Sequence, residues 1–403
     1  MTRRQLRWGA LAAVATSLVA VVALFITWQP NHLTEFDRAE PVESANLTGA
    51  GPGSLVSAMT MPAVSRQLPS GMHAARIVYR STEGDTGLPT SVSGSAFVPS
   101  GIPPDGGWSI IALGHGTTGI NEPCAPSLTP DLSGLISVVA NLLQSGYAVV
   151  IPDYQGLGAA GIHPYLDSRT AGYNVIDAVR AARATFPHLS GRWAAAGWSQ
   201  GGAAVWAADE YAAIYGSELE LVGAVAVAPP TNVSGIVDHA QDGSLTADQV
   251  LPFIWVLTSL NRLHPDFKLE DYRRGVVAQY WDQLAACSGP EQSVADAVAR
   301  DFQPADLSPS DSVAADRLRT LLEDWALPQR PLVAPLFVLY GDDDPYIDPQ
   351  WTKNAIARAC SWKGTVVWRL EQGKGHEDLD LGGQAQWVAD RFAGKPLINQ
   401  CPS

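Results

Sequence analysis

Hydrophobic and polar positions follow two rhythms along this chain. Short β-like runs occupy 74–79, 92–98 and 108–113, the last reading WSIIAL. The stretch 147–151 is a continuous apolar run ending in Pro152-Asp153, the pattern of a strand buried on both faces. Apolar positions recur at helical spacing over 132–144 and 170–185. A further strand-like run leads into GWSQGG at 197–202, followed by a helical stretch over 200–215 and a buried strand over 222–228. Strands alternating with helices predict right-handed crossovers and a mostly parallel sheet with helices on both faces, an α/β fold. The alternation pauses over 229–334, where helical patterns fall at 250–260, 295–300 and 316–325. It resumes with a strand at 335–340, a helix at 351–360, a strand at 366–370 and a helix at 384–392. The expected layout is a core built from 71–228 and 335–403, with 229–334 inserted as a helical cap before the strand at 335–340.

The amino terminus follows another pattern. Arg3, Arg4 and Arg7 precede an uncharged apolar run over 9–28. A basic flank before an apolar run marks an export signal, and the run is also long enough to span a bilayer. No clear Ala-x-Ala site follows closely, so residues 1–28 are expected to be a signal peptide or an uncleaved membrane anchor, a transmembrane helix. Residues 29–70, rich in Pro, Gly, Ser and polar side chains, read as a linker. Cys124, Cys287, Cys360 and Cys401 are the only cysteines. An even number in an exported chain points to two disulfides, with three pairings open. Their spacing does not resemble a zinc motif.

Composition narrows the function classes. The 403 residues suffice for a sizeable core, and the formal net charge of −14 disfavours nucleic acid as a partner. No phosphate-binding G-x-x-x-x-G-K-[ST] loop is present. The nearest dinucleotide-like turn, Gly156-Leu157-Gly158, leads into IHPY without an acidic residue placed for a ribose. No cofactor or metal is expected.

The candidate chemistry lies in GWSQG at 197–201, a G-x-S-x-G motif between a strand-like and a helix-like run. There a serine projects above a sheet on a sharp turn that only glycines allow on either side. The helix that follows offers free N–H groups to a developing negative charge. Ser199 is the candidate nucleophile. A hydroxyl needs a base, and the base an orienting acid, in the chain order serine, acid, histidine. Of the histidines after Ser199, His239 and His264 fall in the expected cap, while His376 follows the strand at 366–370 and is the candidate base. The acid should follow the strand at 335–340. Asp344 sits three residues after Gly341, and Asp348 is the competing carboxylate. The oxyanion donors are expected from Gln200 N–H and from GHGTTG at 114–119, where Gly116, Thr117 and Thr118 are candidates. His115 is expected to serve the structure of that loop.

Taken together, GHGTTG, CAPS at 124–127, IPDYQGLGAAGIHPYL at 151–166, NVIDAVRAAR at 174–183 and GWSQGG resemble the secretory lipase family of α/β-hydrolases, found in fungi and actinobacteria. The similarity runs from about 75 to 395 and includes LHPDF at 263–267. The resemblance implies an α/β-hydrolase fold with a helical cap, hydrolysis of acylglycerols and simple acyl esters, and Ser199, Asp344 and His376 as nucleophile, acid and base. It also implies pairing of Cys124 with Cys287, which leaves Cys360 with Cys401. Some family members carry an acidic oxyanion residue where this chain has the threonine pair. The expected protein is an exported, monomeric serine ester hydrolase acting on a lipid or acyl-ester substrate through an acyl-enzyme. Three alternatives stand beside it: a short-chain carboxylesterase, an acyltransferase or peptidase with the same triad, and a non-catalytic lipid-binding envelope protein.

Overall fold

A computed structural model describes residues 38–287 and 290–402. The apolar segment 9–28, expected to be a signal or an anchor, lies outside the described residues. Among the described residues, no helix is long and apolar enough to cross a membrane.

One nine-stranded sheet organises the chain, in the order β1-β2-β3-β5-β4-β6-β7-β8-β9. Its strands are β1 (Leu55–Thr60), β2 (His73–Thr82), β3 (Pro89–Val98), β4 (Trp108–Gly114), β5 (Ala148–Pro152), β6 (Leu189–Trp198), β7 (Glu220–Val227), β8 (Leu336–Gly341) and β9 (Val366–Glu371). β1, β2, β3 and β5 pair antiparallel, and every pairing from β5 through β4 to β9 is parallel. The longer helices are α1 (Ile136–Gln144), α2 (Ser168–Thr185), α3 (Gln200–Tyr215), α4 (Ile236–Asp242), α5 (Ala247–Leu263), α6 (Gln292–Asp301), α7 (Ser312–Trp325), α8 (Pro349–Ser361) and α9 (Gln384–Phe392). Side chains of α2, α3 and α8 share one core with the sheet. Those of α1 and α9 share another. The central strands β4, β5 and β7 are predominantly apolar and buried along their carboxyl-terminal halves or throughout, as in β5, because both of their faces are covered there.

Two expectations require correction. The 29–70 stretch is not linker throughout, because Leu55–Thr60 forms edge strand β1 against β2, burying Leu55 and Ala58. Gly51, Pro52 and Gly53 make the turn that leads into that strand, and Pro62 opens a short helix just after it. The helix expected from residue 132 begins at Ile136. Leu132, Ser133 and Gly134 all have positive φ, which a right-handed helix cannot accommodate.

The segment between β7 and β8 is helical and carries α4 to α7 around its own core, which includes Val237, Phe253, Leu257, Trp281 and Leu318. It is fastened to the rest of the chain at several points. Cys124 and Cys287 are disulfide-bonded, Asn121 Nδ2 donates to the Ala285 carbonyl (2.8 Å), and Gln249 Nε2 donates to the Tyr346 carbonyl (3.0 Å). A second disulfide joins Cys360 at the end of α8 to Cys401.

The return from this insertion to β8 is held by two buried carboxyl groups of α3. Asp209 Oδ1 accepts the N–H groups of Val333 and Ala334, each at 2.8 Å. Glu210 Oε2 accepts those of Gln329 and Arg330 at 2.8 and 3.1 Å. Burial pushes Asp209 up to about 7 and Glu210 up to about 8, against ordinary values near 4. The folded chain therefore holds more protons than the unfolded chain between about pH 4 and 8. Stability is gained as pH falls through that window and lost as pH rises through it. Urea midpoints are expected to be higher at pH 5 than at pH 8.5. Asp209→Asn, which keeps an oxygen acceptor but cannot ionise, is expected to flatten the dependence. A slope unchanged by the substitution would mean that Asp209 does not carry it.

Candidate active site

β6 lies between β4 and β7 and delivers its last residue, Trp198, directly to Ser199. Ser199 adopts φ 54° and ψ −124° and stands at the N-cap of α3. A non-glycine residue held at positive φ stores about 1–3 kcal/mol of strain and persists only where its surroundings enforce it. Close backbone packing enforces it here. A Cβ on Gly201 would fall 2.0 Å from the Gly114 carbonyl oxygen, and one on Gly197 would fall 2.2 Å from the Gly201 carbonyl oxygen. Only glycines at these positions let α3 start flush against the ends of β4 and β6. Ser199 N–H donates to the Val227 carbonyl (2.8 Å), fixing the turn to β7 as well. Gly202 and Ala203 N–H already donate to the Ser199 carbonyl (2.7 and 3.2 Å), whereas the Gln200 N–H, at the first position of α3, precedes any helical acceptor.

The carboxyl and imidazole groups come from the next two strand ends. Asp344 lies in the loop after β8, buried beside His376 in the loop after β9. Its Oδ1 accepts the N–H groups of Tyr346 (2.9 Å) and Ile347 (3.0 Å), which set the carboxylate plane. Its Oδ2 accepts from His376 Nδ1 at 2.7 Å. That bond puts the ring proton on Nδ1 and leaves Nε2 free to accept one. The two loops are drawn together through Gly341, where a Cβ would meet the Lys374 carbonyl oxygen at 2.0 Å, and by Asp343 N–H donating to that same oxygen. Asp348, the competing carboxylate, is occupied elsewhere. It caps α8 by accepting the Gln350 N–H at 2.7 Å and faces solvent.

Ser199 and His376 line one cavity of about 410 Å³ with Gly116 and Thr117. Its walls are mostly apolar, contributed by Ile236, Leu251, Trp255, Val256 and Leu322 of the insertion and by Trp351 of α8. Thr117 Oγ1 lies 2.8 Å from Tyr165 Oη. Thr118 does not line the cavity, and its hydroxyl is buried with no hydrogen-bond partner among the described residues. His115 is buried beneath the loop, its Nδ1 2.6 Å from the Gly116 carbonyl and its Nε2 3.3 Å from that of Asp153. The Gln200 side chain is buried, with Nε2 3.0 Å from His163 Nε2. Among the described residues, no group of three or more His, Cys, Asp or Glu side chains is arranged to hold a metal ion.

Sequence reasoning missed the aromatic surround. Trp198 Nε1 donates to the His376 carbonyl (3.2 Å), and its ring sits 5.7 Å from the imidazole. Tyr346 flanks the opposite loop at 4.9 Å from the same ring. Their signals were the residue before the serine and the residue two after the acid, positions whose backbone placement is dictated by the catalytic candidates beside them.

A mostly parallel sheet, a strained serine turn between its strand and helix, and an acid and histidine on later strand ends define an α/β-hydrolase. The family model described as secretory lipase matches residues 133–400, well over half the chain, and the protein belongs to that family. A probable inactive lipase of Mycobacterium tuberculosis is 26% identical over 361 residues, covering 82% of this chain and 76% of that protein. Lipase 6 of Candida albicans is 24% identical, covering 95% of this chain and 86% of its own. Among solved structures, Candida antarctica lipase A in its closed state superposes with a TM-score of 0.68 at 15% identity, covering 91% of this chain and 88% of that one. A rice cell wall degrading esterase from Xanthomonas oryzae gives 0.64 at 22% identity, covering 85% and 98%. At these identities the structural likenesses establish the fold.

Backbone strain at Ser199 has a measurable consequence. Ser199→Gly is expected to be more stable than Ser199→Ala by about 1 kcal/mol or more, because glycine adopts this φ without penalty and alanine does not. Chemical denaturation of the two variants side by side checks it. Equal stabilities would mean that the turn is not strained.

Proposed function

We propose that this protein hydrolyses lipid carboxylic esters outside the cytoplasm, with Ser199, His376 and Asp344 as a catalytic triad. One observation carries this: a strained serine lines a mostly apolar cavity together with an imidazole whose far nitrogen is bound to a buried carboxylate. Membership of the secretory lipase family and two disulfides support the location.

The geometry supports the following steps. Ser199 Oγ attacks the ester carbonyl carbon while His376 Nε2 takes its proton. The carbonyl oxygen becomes an oxyanion, received by Gln200 N–H and by Thr117 through its N–H or hydroxyl. The tetrahedral intermediate collapses, the C–O bond to the alcohol breaks, and His376 returns the proton to the leaving alkoxide oxygen. Water then attacks the acyl-serine with His376 again as base, releasing the carboxylic acid and restoring Ser199. Asp344 keeps the imidazole in the required tautomer and stabilises its positive form. The acyl chain lies against Leu251, Trp255 and Val256, away from water.

One relative is named a probable inactive lipase. The intact serine, histidine and acid of this chain favour activity over a non-catalytic lipid-binding role. The apolar walls favour a lipid ester over a peptide.

A fluorophosphonate probe is expected to label the wild-type chain and not Ser199→Ala; an unlabelled wild type would overturn the proposal. Asp344→Asn is expected to lower kcat by about 10³–10⁴-fold, since the wrong tautomer then faces the serine. Asp348→Asn is expected to change kcat by no more than about twofold, because Asn caps a helix as well as Asp does. The reverse ranking would reassign the acid. Cleavage of emulsified triacylglycerol alongside p-nitrophenyl esters is the expected substrate profile. Activity confined to soluble short-chain esters would make the protein a carboxylesterase.

A further inference from the structure

The stretch IHPY at 162–165 contributes nothing to the steps above, yet its two ring side chains reach both arms of the oxyanion site. His163 is buried, with Nδ1 2.7 Å from the Gln155 carbonyl oxygen and Nε2 3.0 Å from Gln200 Nε2. A carbonyl oxygen can only accept, so Nδ1 carries the proton and Nε2 presents its lone pair. The Gln200 amide therefore donates to the ring. Burial pushes His163 down to about 4, which keeps this neutral form at neutral pH. Two residues later, Tyr165 Oη is hydrogen-bonded to Thr117 Oγ1 at 2.8 Å. Its buried ring meets Trp255 of the cavity wall edge-on at 6.0 Å.

The segment is itself fixed from both sides. Gly156, at φ +77°, packs so closely that a Cβ there would lie 2.3 Å from His163 N. Gln155 Nε2 donates to the Ile162 carbonyl at 3.2 Å, and Gln155 N–H to Asn174 Oδ1 of α2 at 2.9 Å. Just beyond Tyr165, Asp167 caps α2 by accepting the N–H groups of Arg169 and Thr170. Donors held before the reaction begins stabilise an oxyanion far better than donors that must reorient.

We propose that His163 and Tyr165 are positioning residues for the oxyanion site, His163 holding Gln200 and Tyr165 holding Thr117. This rests on Ser199 being the nucleophile. Neither residue touches the reacting atoms. Each fixes a residue whose backbone N–H, or in Thr117 also its hydroxyl, receives the negative charge. Because Tyr165 also packs on Trp255, the wall of the acyl cavity and one oxyanion arm share a support.

The test uses the full chain with Tyr165→Phe, His163→Phe and His163→Gln, assayed on p-nitrophenyl butyrate. Tyr165→Phe removes one hydroxyl and keeps the ring against Trp255. His163→Gln retains an oxygen that can accept from Gln200, and His163→Phe does not. Tyr165→Phe and His163→Phe are expected to lower kcat about tenfold with KM little changed, a smaller loss than the roughly 100-fold or more for deleting a donor outright. His163→Gln is expected to recover most of the loss. The second readout is a trifluoromethyl ketone, which adds to the serine hydroxyl and places an anionic oxygen in the same site. Its Ki should rise by the factor by which kcat/KM falls. Activity lost without that parallel rise, or wild-type activity in Tyr165→Phe and both His163 variants, overturns the inference. Equal activity of His163→Gln and His163→Phe overturns its histidine half. Should His163→Phe not fold, Tyr165→Phe and His163→Gln still decide. A wild-type chain that no fluorophosphonate labels sinks the nucleophile assignment as well, whereas a labelled wild type with unaffected variants sinks only this inference.

Discussion

Three backbone segments meet almost without side chains between them where β4 and β6 end and α3 begins. Gly114, Gly197 and Gly201 approach so closely that a single added carbon at any of them would collide with a main-chain atom of another. This contact sets the strained angle at Ser199 and starts α3 directly after it. It also places the loop after β4 against the same helix end. The positions of the proposed nucleophile and of both arms of the proposed oxyanion site are therefore consequences of one packing constraint. Strain of this kind needs a rigid surround, and α3 supplies it by being buried along most of its length.

Buried carboxyl groups supply much of the remaining rigidity, through different surroundings. Asp153 sits beneath the oxyanion loop and accepts the Ser93 and Ser127 hydroxyls and the Ser127 N–H. Asp177 joins α2 to β2 through Ser81 and to α3 through Tyr215. Asp209 and Glu210 hold the segment entering β8. In each of these, burial pushes the carboxyl upward. Asp153, Asp209 and Glu210 serve main-chain or hydroxyl donors that fix a loop, whereas Asp177 ties two helices to β2 and also accepts from Arg180 Nη1 (2.7 Å), so each buried carboxyl is paired. Asp344 is also bonded to two backbone N–H groups, but its second oxygen meets an imidazole rather than the frame. That difference separates the proposed catalytic carboxylate from its structural neighbours, and loop composition does not reveal it.

The insertion between β7 and β8 is tied to the site at two ends. Arg262 reaches the Ile120 carbonyl just past the oxyanion loop, and Thr246 and Gln249 bond the carbonyls of Pro345 and Tyr346 in the acid loop. Helices that wall the cavity thus also brace the loops that carry the proposed acid and oxyanion groups. Any movement of the insertion would be felt at both.

Much of this was legible in the chain. The apolar runs that became β4, β5, β7 and β8 are buried along most of their length, so their composition alone announces them. The serine turn was legible because close packing leaves glycine no substitute, and His376 because strand and loop order place it last. Edge strand β1 was hidden, since an edge strand needs few apolar residues and its turns look like linker. The choice between Asp344 and Asp348 was open for a similar reason: both follow β8 in one short acidic loop. Only the folded loops show that one meets His376 while the other caps α8. His163 and Tyr165 carried no local signal of their relation to Gln200 and Thr117, because each pair is separated by more than thirty positions in the chain. Local spacing determined which elements form and where the strained serine turn stands. Which polar groups touch across those elements was decided by tertiary packing alone, because hydrogen-bond partners are selected by distance in space and not by distance along the sequence.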